Sequence, residues 1–499
     1  MAHADALTEH LAWWGLRRFG SDCDYFRWQR ESIPAADLVE LTRLAEAKRA
    51  VPADPAAERA FYDFAARSHV LPSLYSQRYD YYLAVGPLVD DRIGPSSAVL
   101  DFGCGVGILT TFYASRYPAK SFVGVDRSEA SIAVATAHAA NLGLSNVRFL
   151  RLDIEEESPA GEYDLIIATH ALVQAEQEPG LPSRDWTTFE RARDAAAQAG
   201  FEQRTGVGAR LDGLRSVLAP QGRMLIFEKT RQLARRVPFQ RALASRGLGL
   251  LEPPVPVRYQ LVEEIAEDGP LYHAGLRSPA AVPWDEQPER SHGEELHRCR
   301  GGLAQAIYDR LPDRAVAGTF ELRDQLTGRL AVEWGSAGGG LRYLATGSGV
   351  EGHEHAIVTW PQQGESGMVA RLLTELEHAQ RDTEKVRSLL QALWSQPVEA
   401  ADPAHVPLYE NRSPAAQEAW AALPSRQVAR HATLRGPDGR LTHLELGRAP
   451  GVSYFYLANN FDQRQLVVMD RQRASLLDEY YDELVTEARS SGATRVPTP

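Results

Sequence analysis

Lysine is scarce in this chain. Lys48, Lys120, Lys229 and Lys385 are the only four in 499 residues, so arginine carries nearly all the positive charge. Acids outnumber bases and the formal net charge is −12. That balance argues against a protein that wraps duplex nucleic acid or lies on an anionic membrane. Cysteine is scarcer still. Cys23, Cys104 and Cys299 are odd in number and far apart, which excludes a disulfide framework and zinc-ligand spacing. No apolar run is long enough to span a bilayer, and the first residues lack a charged-then-apolar leader pattern. A cytoplasmic protein is therefore expected. Apolar residues at 44% and charged residues at 24% are ordinary for a globular chain. The length accommodates roughly two to four domains.

What is present is concentrated in one short run. Residues Val99 to Gly107 read Val-Leu-Asp-Phe-Gly-Cys-Gly-Val-Gly. An apolar strand meets an acid, then a loop with glycine at every second position, then a helical pattern from Ile108. Strand, glycine loop and helix bind nucleotide-like ligands at the carboxyl end of a strand. Asp101 would repel a pyrophosphate but suits a ligand with an amino group. The second strand, Ser121 to Val125, ends in Asp126, about 20 residues on, placed to accept ribose hydroxyls. The third, Val147 to Leu152, ends in Asp153, within reach of an adenine amino group. The fourth, Tyr163 to Ala168, carries Asp164 near its start. The fifth is Arg223 to Phe227.

This set resembles the class I S-adenosylmethionine-dependent methyltransferases. The matching residues are the glycine loop with Asp101, then Asp126, Asp153, Asp-Leu-Ile-Ile-Ala of the fourth strand, and Leu-Ala-Pro-Gln-Gly-Arg-Met-Leu-Ile-Phe. The resemblance implies an α/β, Rossmann-like doubly wound sheet over residues 83–277, with S-adenosylmethionine as cofactor. Asp101 would then take the amino group, and Gly103, Cys104, Gly105 and Gly107 would follow the methionine part. Asp126 with Arg127 would hold the ribose. Asp153 and Ile154 would bracket the adenine, and Thr169 would lie beside the methyl group. His170 is the candidate general base, since an imidazole suits deprotonation of a hydroxyl or amine. His69 is a weaker candidate. Tyr75, Tyr79, His170, Trp186 and Glu228 are the candidate substrate contacts.

The resemblance implies transfer to an O or N atom of a small molecule, in specialised metabolism. Three alternatives stay open. One is a non-methylating reaction on the same fold and cofactor. Another is a protein arginine methyltransferase, although Thr169 stands at one expected glutamate position and only Glu176 or Glu178 can supply the other. The third is a binding or scaffold protein.

Around the core, residues 1–82 read as an N-terminal helical cap, with apolar residues at helical spacing and tyrosines at 62, 75, 79, 81 and 82. An insertion, 174–205, follows the fourth strand and reads as a lid. Two more strands are expected near Leu248–Leu261 and Gly269–Arg277. Residues 278–299, proline- and charge-rich, read as a linker. Beyond it the chain repeats itself. Tyr308-Asp-Arg-Leu-Pro-Asp-Arg matches Trp420-Ala-Ala-Leu-Pro-Ser-Arg, Glu333-Trp334-Gly335 matches Glu445-Leu446-Gly447, and the order is kept to the end. Two α+β repeats, 300–396 and 412–490, are expected to form one C-terminal domain serving a homodimer or protein partner. Glu351-Gly-His-Glu-His355 reads as a solvated loop rather than a metal site.

Overall fold

The computed structural model describes residues 2–49, 54–157, 159–174, 180–262, 264–276, 282–288, 297–300, 308–309, 311, 313–324, 328–337, 341–347, 353–359, 378, 414–470 and 474–496. Most of the expected linker, Glu176, Glu178, Glu351, Gly352 and the closing helix of the first repeat, apart from His378, lie outside these residues. The chain divides into two units: residues 1–181 with 193–286, and residues 182–192 with 287–499.

The first unit opens with six helices: α1 (Ala2–Trp13), α2 (Asp22–Ser32), α3 (Ala35–Arg49), α4 (Pro55–Ala65), α5 (Leu71–Ser76) and α6 (Tyr79–Ile93). The core then alternates. Its elements are β1 (Ala98–Phe102), α7 (Ile108–Arg116), β2 (Ser121–Asp126), α8 (Glu129–Asn141), β3 (Val147–Arg151), β4 (Tyr163–Thr169), α9 (Ala195–Thr205), α10 (Val207–Ser216), β5 (Leu218–Phe227) and α11 (Leu233–Ser245). It closes with β6 (Gly249–Leu250), β7 (Val255–Leu261) and β8 (Glu264–Gly275). The sheet order is β3-β2-β1-β4-β5-β8-β6, with β7 paired to β8. β1 to β5 run parallel and β8 enters antiparallel against β5.

The residue pattern explains the layering. Side chains alternate across a strand, and both faces of this sheet are covered. Val99, Leu165, Ile167, Leu225 and Phe227 face the cap-side core with Tyr81, Val85 and Phe112. Leu100, Ile166, Met224 and Ile226 face the other core with Phe201, Leu211 and Phe239. Strands buried on both faces read as continuous apolar runs. Fully burying each such side chain stabilises by about 1.5–3 kcal/mol. Helix starts are capped as their sequences predict. Ser128 accepts from Ser131 N and Asp194 from Ala196 N. Asp164 fastens the start of β1 by accepting from Ser97 N and Ala98 N at 2.9 and 3.0 Å.

The second unit holds two five-stranded sheets. The first has β9 (His297–Arg300), β10 (Ala315–Asp324), β11 (Gly328–Ala337), β12 (Leu341–Gly347) and β13 (His353–Thr359), in order β10-β11-β12-β13-β9. The stretch His353–His355, expected in a loop, opens β13. The second contains α12 (Pro414–Ala422), β14 (Gln427–Arg435), β15 (Leu441–Ala449), β16 (Val452–Asn459), β17 (Arg464–Asp470), α13 (Ala474–Ser490) and β18 (Thr494–Arg495), ordered β17-β16-β15-β14-β18. Each sheet is a four-strand meander with a fifth strand, added at opposite edges. Each has a register shift near the start of its first strand, between Val316 and Gly318 and between Val428 and Arg430.

One side-chain arrangement recurs. Tyr308 and Tyr343 hydroxyls donate to Glu333 Oε1 at 2.9 and 2.8 Å. Trp420 Nε1 and the Tyr454 hydroxyl donate to Glu445 Oε1 at 3.0 and 2.7 Å. Arg314 stacks on Tyr308 at 3.9 Å and Arg426 on Trp420 at 3.8 Å.

Residues 182–192 leave the first unit and are held in the second. Ser183 N donates to Asn460 O at 2.7 Å and Gln417 Nε2 to Thr187 O at 2.8 Å. Arg191 pairs with Asp462, and the Trp186 indole lies on the His443 ring at 3.7 Å and 4°. Over this stretch the expected lid belongs to the second unit, and its polar and aromatic partners lie on α12, on β15 and on the Asn459-to-Arg464 turn. Trp186, a candidate substrate contact, stacks there on a ring of the second unit.

Candidate functional site

β1 delivers Asp101 to the carboxyl edge of the core sheet, where it is buried. Thr110, on the first turn of α7, donates to its Oδ2 at 2.5 Å. Among the described residues no cation pairs with it, and burial pushes its carboxyl up to about 6. The loop that follows is closed at one glycine and open at the next. Gly103 has φ +74° and a Cβ there would sit 2.4 Å from Ala171 Cβ. Gly105 has φ +54°, and among the described residues beyond its chain neighbours a Cβ there would meet within 4 Å only the Tyr75 hydroxyl, at 3.9 Å. A side chain is thus excluded at Gly103 by packing and disfavoured at Gly105 only by backbone conformation. Gly107, φ +83°, is the N-cap of α7. The Cys104 thiol is pushed well up by burial, which leaves it unreactive.

β2 ends on Asp126, whose oxygens accept from Gly105 N and Ser128 N, both at 2.9 Å. Those two bonds fix the glycine loop to the end of β2. Burial still raises the carboxyl above its ordinary range. Arg127 lies between Glu58 at 3.2 Å, Glu155 at 3.6 Å and Asp153 at 3.9 Å. Asp153 is buried and accepts from Glu155 N at 3.2 Å, and Ile154 beside it is buried.

β4 ends on Thr169 and His170. His170 has φ +55°, uncommon for a non-glycine residue. Its N–H donates to Phe227 O at 2.7 Å, which pins the strained turn to β5. The ring stacks on Tyr81 at 5.3 Å. Arg78 Nη2 donates to Nδ1 at 3.0 Å, and Nε2 lies 3.1 Å from Asp268 Oδ2. A guanidinium can only donate. Nδ1 therefore accepts, and the proton sits on Nε2 facing Asp268. Burial, with Arg78 adding to it, pulls the imidazole down to about 4. Burial works to raise Asp268, but His170, Tyr259 and Lys229 hold it well below the carboxylate range. The pair is a neutral imidazole beside an ionised carboxylate. The candidate general base thus has its Nδ1 taken by Arg78 and its Nε2 beside Asp268.

The other expected contacts separate. Tyr75 lies over the open side of Gly105. Tyr79 is buried in the core with Leu7 and Leu11 of α1. Glu228 is buried and accepts from Ala171 N and Leu172 N at 2.6 and 2.5 Å, which makes it an anchor for the loop after β4. His69 is exposed and pairs with Asp37 at 2.8 Å. Arg78, Tyr259 and Asp268 were not foreseen. Arg78 carried a signal, a cation inside a tyrosine run. Asp268 carried none, because antiparallel β8 brings it across the sheet.

The residues present fit a nucleoside bearing an amino-acid chain. The cradle is open at Gly105, and a buried carboxylate without a cation, Asp101, suits an ammonium group. The family described as "Methyltransferase domain" matches residues 93–275. A trans-aconitate 2-methyltransferase from Deinococcus radiodurans is 38% identical over 99 residues, 20% of this chain and 35% of that protein. A ubiquinone biosynthesis O-methyltransferase from Acinetobacter baumannii is 35% identical over 82 residues, 16% of this chain and 34% of that one. The chain thus spans about a third of the length of these relatives. Among solved structures, an N-methyltransferase from Bradyrhizobium japonicum matches 39% of this chain and 84% of its own at 19% identity, with a TM-score of 0.27. With the sheet order and the strand-end acids already described, residues 93–275 are a class I S-adenosylmethionine-dependent methyltransferase core.

Proposed function

We propose that the chain transfers a methyl group from S-adenosylmethionine to an O or N atom of a small molecule. The observation that carries this reading is the row of acids Asp101, Asp126 and Asp153 at or just past the carboxyl ends of β1, β2 and β3, around a glycine loop left open at Gly105. The cofactor supplies a methyl group already activated by its sulfonium charge. What the protein must add is alignment of the acceptor atom with that carbon. In this reading Asp101 accepts from the amino group, Asp126 from the ribose hydroxyls, and Asp153 with Ile154 flanks the adenine. The backbone of Gly103 and Gly105 follows the methionine part, and Thr169 lies beside the methyl carbon.

His170 acts here as a positioning residue, held neutral between Arg78 and Asp268. A histidine whose Nδ1 is already taken by Arg78 suits an acceptor atom that carries no proton at neutral pH. The two named relatives, one for trans-aconitate and one in ubiquinone biosynthesis, support a small-molecule acceptor. We place the chain in specialised metabolism and in the cytoplasm, and assign its paired sheets to self-association or a protein partner. Incubation with S-adenosylmethionine and candidate acceptors should form S-adenosylhomocysteine. No product formation across a broad acceptor set, with the cofactor bound, would sink the methyl-transfer reading and favour a non-methylating reaction.

A further inference from the structure

Arg78 is a cation without an anion. It occupies the N-cap position of α6, partly buried, and one of its five N–H groups is spent on His170 Nδ1. Among the described residues no carboxylate lies within ion-pairing distance of it. The nearby Asp268 is engaged by His170 and by the Tyr259 hydroxyl. Burial works against the charge of Arg78, and the phenols of Tyr81, Tyr82, Tyr62 and Tyr259 lie around it. It is a cation at every working pH. The side chains of Tyr75 and Tyr82, whose phenols share its surroundings, make no hydrogen bond to any described residue. An enclosed guanidinium with open donors is costly unless something pairs with it. Its fork matches a carboxylate bidentately.

We propose that the acceptor is a carboxylic acid, and that Arg78, aided by the Tyr75 and Tyr82 hydroxyls, holds its carboxylate beside His170. This rests on the methyltransferase reading above. Two sources of a carboxylate have to be separated, the acceptor and the amino-acid end of the cofactor. The surroundings of Arg78 favour the acceptor. They are His170 at the end of β4, whose Nδ1 accepts from Arg78 at 3.0 Å, and the ring of Tyr81 on α6, 5.1 Å from the guanidinium carbon. Tyr75 joins the two places, over Gly105 on one side and within the field of Arg78 on the other.

Thermal unfolding of the full chain tests this with acetate as the minimal carboxylate. Acetamide and chloride at matched ionic strength are the controls. Runs are made near neutral pH with S-adenosylhomocysteine or with 5′-methylthioadenosine, which lacks the amino-acid end. Acetate should raise the melting temperature over both controls by roughly 2 °C or more with either nucleoside present. That gain should vanish in Arg78→Met. If this variant fails to fold, Arg78→Lys serves, and its gain should fall by half or more. Acetate no better than acetamide on the wild type overturns the proposal, as does a full gain in the variant. A gain seen with methylthioadenosine but lost with S-adenosylhomocysteine also overturns it and gives Arg78 to the cofactor. A wild type that binds neither nucleoside sinks the methyltransferase reading instead. The acetate comparison on the free protein then still decides whether Arg78 takes a carboxylate.

Discussion

His170 shows how far a residue's role is set by its neighbours. Read alone, a histidine at a strand end beside a transferred methyl group is a base. Placed between a guanidinium donor and a carboxylate, it is a fixed neutral ring. His10 is in a similar state, pulled down to about 4 by burial. Both values lie below the unfolded value of about 6.5. The unfolded chain therefore takes up two protons that the folded chain refuses. The stability they contribute is full above about pH 6.5 and is lost as pH falls through about 4. The slope from the pair reaches up to about 2.7 kcal/mol per pH unit. Denaturant unfolding at stepped pH should show it, and His10→Gln should roughly halve it. An unchanged slope in that variant would contradict the assignment. Asp126 permits a second residue-scale test. Asp126→Asn should weaken S-adenosylhomocysteine about tenfold or more by calorimetry, the worth of a charge-assisted hydrogen bond. Wild-type affinity would remove Asp126 from the ribose site.

At the scale of elements, the glycine loop separates stability from binding. Gly103→Ala forces a methyl group into Ala171 and should destabilise the core while also losing the cofactor. Gly105→Ala meets open space and only a backbone penalty of about 1–2 kcal/mol. It should fold and yet bind S-adenosylhomocysteine more than tenfold more weakly, because its methyl group fills the cradle. Equal binding by wild type and Gly105→Ala would place the ligand elsewhere. The five parallel strands were legible because buried strands are apolar runs that end in the acids of the site. β5 begins earlier than expected, at Leu218 rather than Arg223, and runs through Pro220 and Gly222. The partners of His170 were not legible. Arg78 starts a helix and Asp268 sits on the returning strand, and no spacing in sequence links either to residue 170. The partner of Trp186 was not legible for the same reason, because the ring it stacks on, His443, lies far along the chain.

At the scale of the whole molecule, each unit has its own core, and its effects should be separable. Glu445 is buried and accepts from Trp420 and Tyr454. Glu445→Ala strands both donors and should cost on the order of 2–4 kcal/mol in the second unit. Affinity for S-adenosylhomocysteine should stay within twofold of wild type when measured well below the melting temperature. A large loss of affinity would show that the nucleoside site depends on that sheet. No helix among the described residues is long and apolar enough to cross a membrane.

The excursion at residues 182–192 bears on how such a chain can be divided or assembled. Judged by the proline- and charge-rich linker alone, a cut after Glu286 leaves the first unit whole. It would instead strip Trp186 of His443 and Arg191 of Asp462, leaving an aromatic face and a guanidinium exposed in mid-core sequence. Residues 182–192 therefore belong to the second unit although sequence of the first unit flanks them on both sides. The segment and its receptor have to be inherited, expressed and redesigned together.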